Sequence, residues 1–224
     1  NVQYRVSKYD LSTGQYTELW TYTGDDRVDV FGENTGKVDG MSDGSYVRMD
    51  SNGNFYIMTS STGNNNDTLI KVNFDKNTSE VIYTTDMEKL YSLQSDGEYL
   101  YFFESTQSRE TKSYFTAIDM NGTLKAQYEM EYDEEFLEKA KKYYEQYPED
   151  TSVVVDASGI CVYGIDERYI LMGSNSDSDV YKNLKSLNSK PYKKVITTGV
   201  GVINKMDYLN SGTASIKQIY QNLS

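Results

Sequence analysis

The side chains in this sequence that could do chemistry are carboxylates and tyrosines. The chain carries 34 Asp+Glu against 22 Lys+Arg, a formal net charge of −12, together with 22 Tyr, 7 Phe, 1 Trp, 1 Cys and no His. Two carboxylates in different environments about 5–10 Å apart are what glycoside hydrolysis needs, so residue type alone leaves acid-pair chemistry open. The missing histidine removes the usual general base of Ser-His-Asp and Cys-His sites, and the commonest nitrogen ligand of zinc, copper and non-haem iron. Cys161 is the only thiol, so no intramolecular disulfide or cysteine-rich metal module forms. A pI near 4.5 sets the chain against nucleic acid and anionic lipid, because binding a phosphate backbone needs a basic footprint.

Local motifs narrow the chemistry further. Asn175, Asp177 and Asp179 mimic the opening of an EF-hand loop, but Val180 stands where that loop needs Gly and Ser186 where it needs a bidentate Glu. Asp25, Asp26 and Asp29 form a second acidic loop. Both read as solvated acidic loops, with other calcium geometries left open, and no metal ligand, catalytic residue or cofactor is assigned. Gly199 and Gly201 in "TTGVGVI" lack the third glycine and the following helix of a dinucleotide fingerprint, so that segment reads as a strand. The N-x-S/T triplets at Asn66, Asn77, Asn121 and Asn222 would be glycan acceptors in a eukaryotic secretory protein; in a bacterial one they read as turn chemistry, the reading preferred here. Cys161, in "GICVYGI", reads as an inert small hydrophobe. Trp20 and the tyrosines are able to stack on sugars, but they read first as packing residues.

Most aspartates have a turn to close. One kind of hairpin ends its first strand in Asp: "YRVSKYDLSTGQYTELW" at Asp10, "TLIKVNFDKNTSEVIYT" at Asp75, "SYFTAIDMNGTLKAQYE" at Asp119 and "GVINKMDYLNSGTASIKQIY" at Asp207. A second kind carries the turn Asp earlier and returns through an aromatic-rich strand: "VRMDSNGNFYIMTS" at Asp50, "SLQSDGEYLYFFES" at Asp96 and "YGIDERYILMGS" at Asp166. The two kinds alternate along the chain. Asp and Asn accept backbone hydrogen bonds from two residues ahead, and Gly takes positive φ, which is why D-x-x-G and D-G close such turns. Paired, the hairpins make a four-stranded unit of about 44 residues, the size of a β-propeller blade.

Three of these hairpins resemble known propeller repeats. "VRMDSNGNFYIMTS" is similar to the D-x-x-G-N-x-Y hairpin of bacterial extracellular and NHL-type propellers, "SDGEYLYFFES" resembles the corresponding hairpin of YWTD-like propellers, and "KYDLSTGQYTEL" resembles the D-x-x-T-G turn of bacterial propellers. Neither YWTD itself nor a WD dipeptide occurs. The resemblance implies an all-β scaffold that binds more often than it catalyses.

The expected organisation is a single β-propeller-type domain over residues 1–224, or a several-blade part of one: a half-blade at 1–22 and blades at about 46–85, 91–131 and 151–220. The strand-like start and the unpaired half-blade suggest part of a longer protein. Asp133–Tyr147 departs from the strand pattern. Phe136, Leu137, Ala140, Tyr143, Tyr144 and Tyr147 share one helical face, Glu138 precedes Lys142 by one turn, and Pro148 follows, so a helical insertion is expected there. Asn175–Lys190 reads as a short helix or ordered loop, Thr23–Ser45 as a long loop, and 152–165 as either an extra strand pair or the inner strand of the last blade. The functional expectation is a non-catalytic module of a secreted or cell-surface bacterial protein that recognises a glycan, peptide or protein, without nucleic-acid binding or membrane insertion. The alternative is a carboxylate-dependent lyase or glycosidase at the propeller mouth.

Overall fold

Alternation of apolar and polar residues sets the first strand: in "VQYRVSKY" Val2, Tyr4 and Val6 are half-buried while Gln3, Arg5 and Ser7 face water. In a computed structural model the described residues are 1–25, 27, 29–32, 35–38, 47–60, 66–106, 112–130, 134–149, 160–174, 199–211 and 217–221. They form an all-β fold of antiparallel sheets with two helices. The strands are β1 (Val2–Tyr9), β2 (Tyr16–Gly24), β3 (Val47–Met49), β4 (Asn54–Thr59), β5 (Thr68–Asn73), β6 (Thr78–Thr84), β7 (Lys89–Ser95), β8 (Tyr99–Ser105), β9 (Ser113–Asp119), β10 (Leu124–Glu129), β11 (Ile160–Ile165), β12 (Tyr169–Ser174), β13 (Gly199–Asn204) and β14 (Lys217–Gln221). The helices are α1 (Glu134–Gln146) and α2 (Lys205–Ser211). β1–β2 is a two-stranded sheet; β3–β6, β7–β10 and β11–β14 are each four-stranded, with every strand beside its neighbours in sequence. Such a blade-like meander is what the alternating hairpins imply.

The chain divides into two compact units, Asn1–Asp86 and Met87–Ser224. In the first, β1–β2 and β3–β6 share a core of Val30, Phe31, Val38, Ile57, Ile70, Val72 and Phe74, against which Tyr4, Val6, Leu19, Trp20 and Tyr22 pack. The segment around Gly36 is tied into this core. Lys37 bridges to Ser60, and the Tyr4 hydroxyl donates to the Val38 carbonyl at 2.8 Å.

In the second unit, β7–β10 and β11–β14 meet through Tyr101, Phe103, Phe115, Val162, Ile170, Met172 and Ile203. Their first strands approach most closely. Val162 N–H donates to Ser92 Oγ at 3.1 Å, and Gln94 Nε2 donates to the Val162 carbonyl at 3.0 Å. A bulge between Tyr91 and Gln94 makes this reach possible, with Ser92 in the left-handed region at φ 56°. On the outer side α2 stands between β10 and β13. Its Tyr208 is fully buried, stacks on Phe115 at 4.9 Å and donates its hydroxyl to the Phe115 carbonyl at 2.8 Å.

The turns follow the expected chemistry except at two places. Oδ1 of Asp50 accepts from Asn52 N and Asn54 N, that of Asp96 from Glu98 N and Tyr99 N, that of Asp119 from Asn121 N and Thr123 N, and that of Asp166 from Arg168 N and Tyr169 N. Asp75 is not the acceptor in its turn, because Asn73 Oδ1 takes Lys76 N at 3.0 Å. Asp207 closes no hairpin. Asn204 caps a helix by accepting from Asp207 N at 3.0 Å, so the expected turn is α2.

The expected helical insertion is α1. Tyr143 and Tyr144 are buried, Tyr147 is exposed, and Lys142–Glu138 is a solvated pair at 3.9 Å. β11 is the first strand of the last sheet, which decides part of the 152–165 alternative. Asn175–Lys190, Asp26 and Asn222 lie outside the described residues. No helix among the described residues is long and apolar enough to cross a membrane.

Candidate binding site

In each unit polar and aromatic side chains gather away from simple turn duty; a buried carboxylate, Glu104, is held between Thr116 and Gln127 inside the β7–β10 sheet, and two further places are described below.

The first is a cleft in the Asn1–Asp86 unit. β2 presents Trp20, the loop before Val38 presents Phe31, and the β5–β6 turn presents Phe74, because each side chain points from its element into the gap between the two sheets. The Trp20 ring lies 5.0 Å from Phe31 at 25° and 5.4 Å from Phe74 at 50°. Val30 and Val72 complete the apolar wall of a cavity of about 260 Å³. Its rim is the turn itself: Asn73, Asn77, Thr78 and Ser79. Asn73 is committed to Asn54 Oδ1 and Lys76 N, and Ser79 Oγ donates to the Phe31 carbonyl. The Asn77 amide and Thr78 hydroxyl are exposed and bond to no other described side chain or backbone group. Asn77 sits at φ 50°, so the turn fixes where its amide points. No charged side chain lines the cavity among the described residues, although the chain carries a net charge of −12.

The second is a polar cluster at the turn between β7 and β8. Asp96 Oδ2 accepts from the Tyr101 hydroxyl at 2.8 Å and from Lys205 Nζ at 3.1 Å. Lys205 opens α2, so this ion pair ties one sheet of the second unit to the other; its side chains are only 14% and 9% exposed. Burial pushes the Asp96 carboxyl up, but the Tyr99 N–H, the Tyr101 hydroxyl, the Glu98 N–H and Lys205 outweigh it, and the group lies below its usual 3.8. Burial and the neighbouring Asp96 charge raise the Tyr101 hydroxyl far above the phenol range. An acceptor so fully used is a clamp rather than a reacting group.

Asp50 repeats half of this design. Its Oδ2 accepts from Tyr56 at 3.1 Å and from Asn54 Nδ2 at 2.8 Å, with no lysine. Burial raises its carboxyl, the Asn54 and Asn52 bonds lower it by more, and the net direction is downward. Asp10, Asp119 and Asp166 are lowered too, each first by hydrogen bonds from its own turn.

The residues singled out in sequence scatter. Asp25 and Asp29 gather no metal-binding group, and none of three or more His, Cys, Asp or Glu exists among the described residues. Asp29 Oδ1 instead accepts from Gly36 N at 3.1 Å. Asn66 donates to the Thr85 carbonyl at 2.8 Å, and Asn121 lies in the Asp119 turn. Cys161 is a half-buried free thiol on β11. Gly199 and Gly201 belong to β13, as their strand reading requires. Trp20 packs as expected, and in addition it lines the cleft.

No family model and no curated protein matches this chain. Among solved structures it is similar to Pyrococcus horikoshii acylaminoacyl peptidase (orthorhombic crystal form), with 10% sequence identity and a TM-score of 0.44. The match covers 97% of this chain and 30% of that chain, so this chain spans under a third of the peptidase's length. A likeness of this strength says nothing about what this chain binds.

Proposed function

We propose that the chain is a non-catalytic binding or scaffolding module of a secreted or cell-surface bacterial protein, built from propeller blades of NHL-like or YWTD-like type. It recognises a glycan, peptide or protein through the Trp20 cleft. The cleft carries the reading: half-buried Trp20, backed by the buried rings of Phe31 and Phe74, stands beside an open cavity of about 260 Å³ whose rim carries Asn77 and Thr78, exposed and bonded through their side chains to no other described group.

The hydrolase or lyase alternative has less support. A general acid needs a raised carboxyl pKa, whereas Asp50, Asp96 and Asp119 are held low by their turn hydrogen bonds.

Trp20 is the only tryptophan, so its fluorescence reports on the cleft directly. Soluble glycans, peptides and surface-protein fragments are titrated against the protein and against Thr78→Phe, which places a ring across the mouth from an exposed rim position. The expected result is a ligand that shifts Trp20 emission in the parent and not in the variant. Binding indifferent to Thr78→Phe, or no binding from any class, overturns the reading.

A further inference from the structure

We infer that the free edge of β1 accepts an added antiparallel strand, brought by an aromatic-rich β-hairpin outside residues 1–224. This goes beyond the Trp20 reading and does not rest on it.

The inference starts from strand position. β1–β2, β5–β6 and β9–β10 are hairpins of one kind, each a strand, a tight turn and a returning strand. β5 and β9 use both edges: β5 also pairs with β4, and β9 with β8, along the whole length of the strand. β13, third in its sheet, likewise pairs with β12. β1 pairs with β2 alone, and its backbone makes no other hydrogen bond among the described residues. Burial differs accordingly. β5 is buried everywhere but at Lys71, whereas β1 is half-buried at Val2, Tyr4 and Val6 and exposed elsewhere.

Two further features make this edge receptive. β1 runs unbroken for eight residues, because the irregularity opposite Val6 and Ser7 puts the extra residue, Leu19, on β2. It contains no proline, and its Arg5 is turned to Glu18 of β2 at 3.2 Å. A long edge without a blocking device invites strand pairing. β3 and β7, the first strands of their sheets, offer less: β3 has three residues, and β7 is interrupted by the bulge between Tyr91 and Gln94. The second feature is the β3–β6 face that meets β1–β2, which is covered unevenly. Ile57, Ile70 and Val72 are buried, but on the first two strands Val47 and Phe55 are half-buried and Met49 is 62% exposed. An added hairpin pairs the edge and covers that strip together.

The occupant follows from what fills this place in the other sheets. β4 "NFYIMT", β8 "YLYFFES" and β12 "YILMGS" are extended, largely apolar on both faces and carry aromatic rings. In strand addition the backbone ladder supplies affinity, and side chains at alternate positions supply selectivity.

The test uses a synthetic peptide of residues 88–106, the β7–β8 hairpin, as probe, with a version carrying Leu100→Pro and Phe102→Pro as control. Calorimetry reads binding, and hydrogen exchange reads the amides of Val2–Tyr9. The probe is expected to bind and to slow exchange at the β1 edge at least tenfold, while the proline peptide does neither. Met49→Lys, at an exposed position, is expected to keep the circular dichroism spectrum and Tm of the parent and to weaken probe binding at least tenfold. No binding, binding that leaves Val2–Tyr9 exchange unchanged, or binding indifferent to Met49→Lys overturns the inference. Protection of Val2–Tyr9 that rises with protein concentration in the absence of probe, with a dimer in sedimentation, makes the occupant a second copy and overturns the hairpin assignment. Each of these failures leaves the cleft reading, with its own Thr78→Phe test, standing.

Discussion

The inter-sheet gaps inside the two units solve one packing problem in opposite ways. Antiparallel meanders facing one another leave space beside the turns of their outer strands. In the Met87–Ser224 unit a helix of seven residues grows from that turn, and Tyr208 is fully buried between strands. In the Asn1–Asp86 unit the corresponding turn is too short to reach, and the rings at the gap remain beside a cavity. The lesson is that one architecture closes such a gap where the turn grows into a helix and leaves it open where the turn is short.

If the filled gap is filled for stability, emptying it has the largest effect. Tyr208→Ala removes a fully buried ring and leaves a hole lined by Phe115 and its neighbours. Buried aromatic truncations cost about 3–5 kcal/mol, so thermal or urea unfolding is expected to show a loss of that order. Tyr208→Phe keeps the ring and removes only the hydroxyl that two carbonyls accept, which costs about 1–2 kcal/mol. A loss well below that for Tyr208→Ala means that the gap repacks and that the contrast between the two units is not one of filling.

How much of this contrast is legible in sequence depends on distance along the chain. The hairpin turns are local: an aspartate and the N–H groups two to four residues ahead suffice, and Asp50, Asp96, Asp119 and Asp166 behave as their sequences imply. The tyrosine-rich helix is local as well, with its apolar face, its Glu138–Lys142 pair and the proline after it. The filling of a gap is not local. Val162 and Ser92 are 70 residues apart, and Tyr208 meets the Phe115 carbonyl across 93. α2 escapes notice because seven residues hold too little periodicity, and Asp207 looks like one more turn aspartate. The signal is there in Asn204, an N-cap three residues before Asp207. Trp20 and Asn77 read separately as a packing ring and a turn amide; only folding makes them neighbours of one cavity.

The clamp between the sheets of the second unit sharpens the comparison through pH. Asp96 has its pKa lowered in the folded protein, so ionised Asp96 contributes stability above the unfolded carboxyl pKa of about 3.9, and that contribution disappears as pH falls through the lower folded value. Asp50 follows the same direction in the first unit without a lysine. With no histidine in the chain, stability is expected to stay level from about pH 7 to 5 and to fall below about pH 4. Lys205→Met removes one of four donors to a carboxylate that is only 9% exposed, at about 1–3 kcal/mol. The variant's acid-induced loss becomes shallower, because less of the Asp96 shift remains to be lost. Urea midpoints from pH 2.5 to 7 measure this; an unchanged acid limb in Lys205→Met means that the pair contributes no coupling between the sheets.

The smallest effect is expected where the open gap is trimmed. Trp20 is half-buried and packs on Tyr22, Phe31 and Phe74, with the cavity beside it. Trp20→Phe therefore forfeits only the contacts of one ring, at about 0.5–1.5 kcal/mol, the scale of a partial side-chain truncation. That is several-fold below Tyr208→Ala, although tryptophan is the larger side chain. The ratio of the two losses in one denaturation series measures how far the cleft is open without reference to any ligand. A Trp20→Phe loss as large as that of Tyr208→Ala means that the tryptophan is a wedge like Tyr208, with its ring held by protein on both faces, and that the cavity beside it has no vacancy to offer.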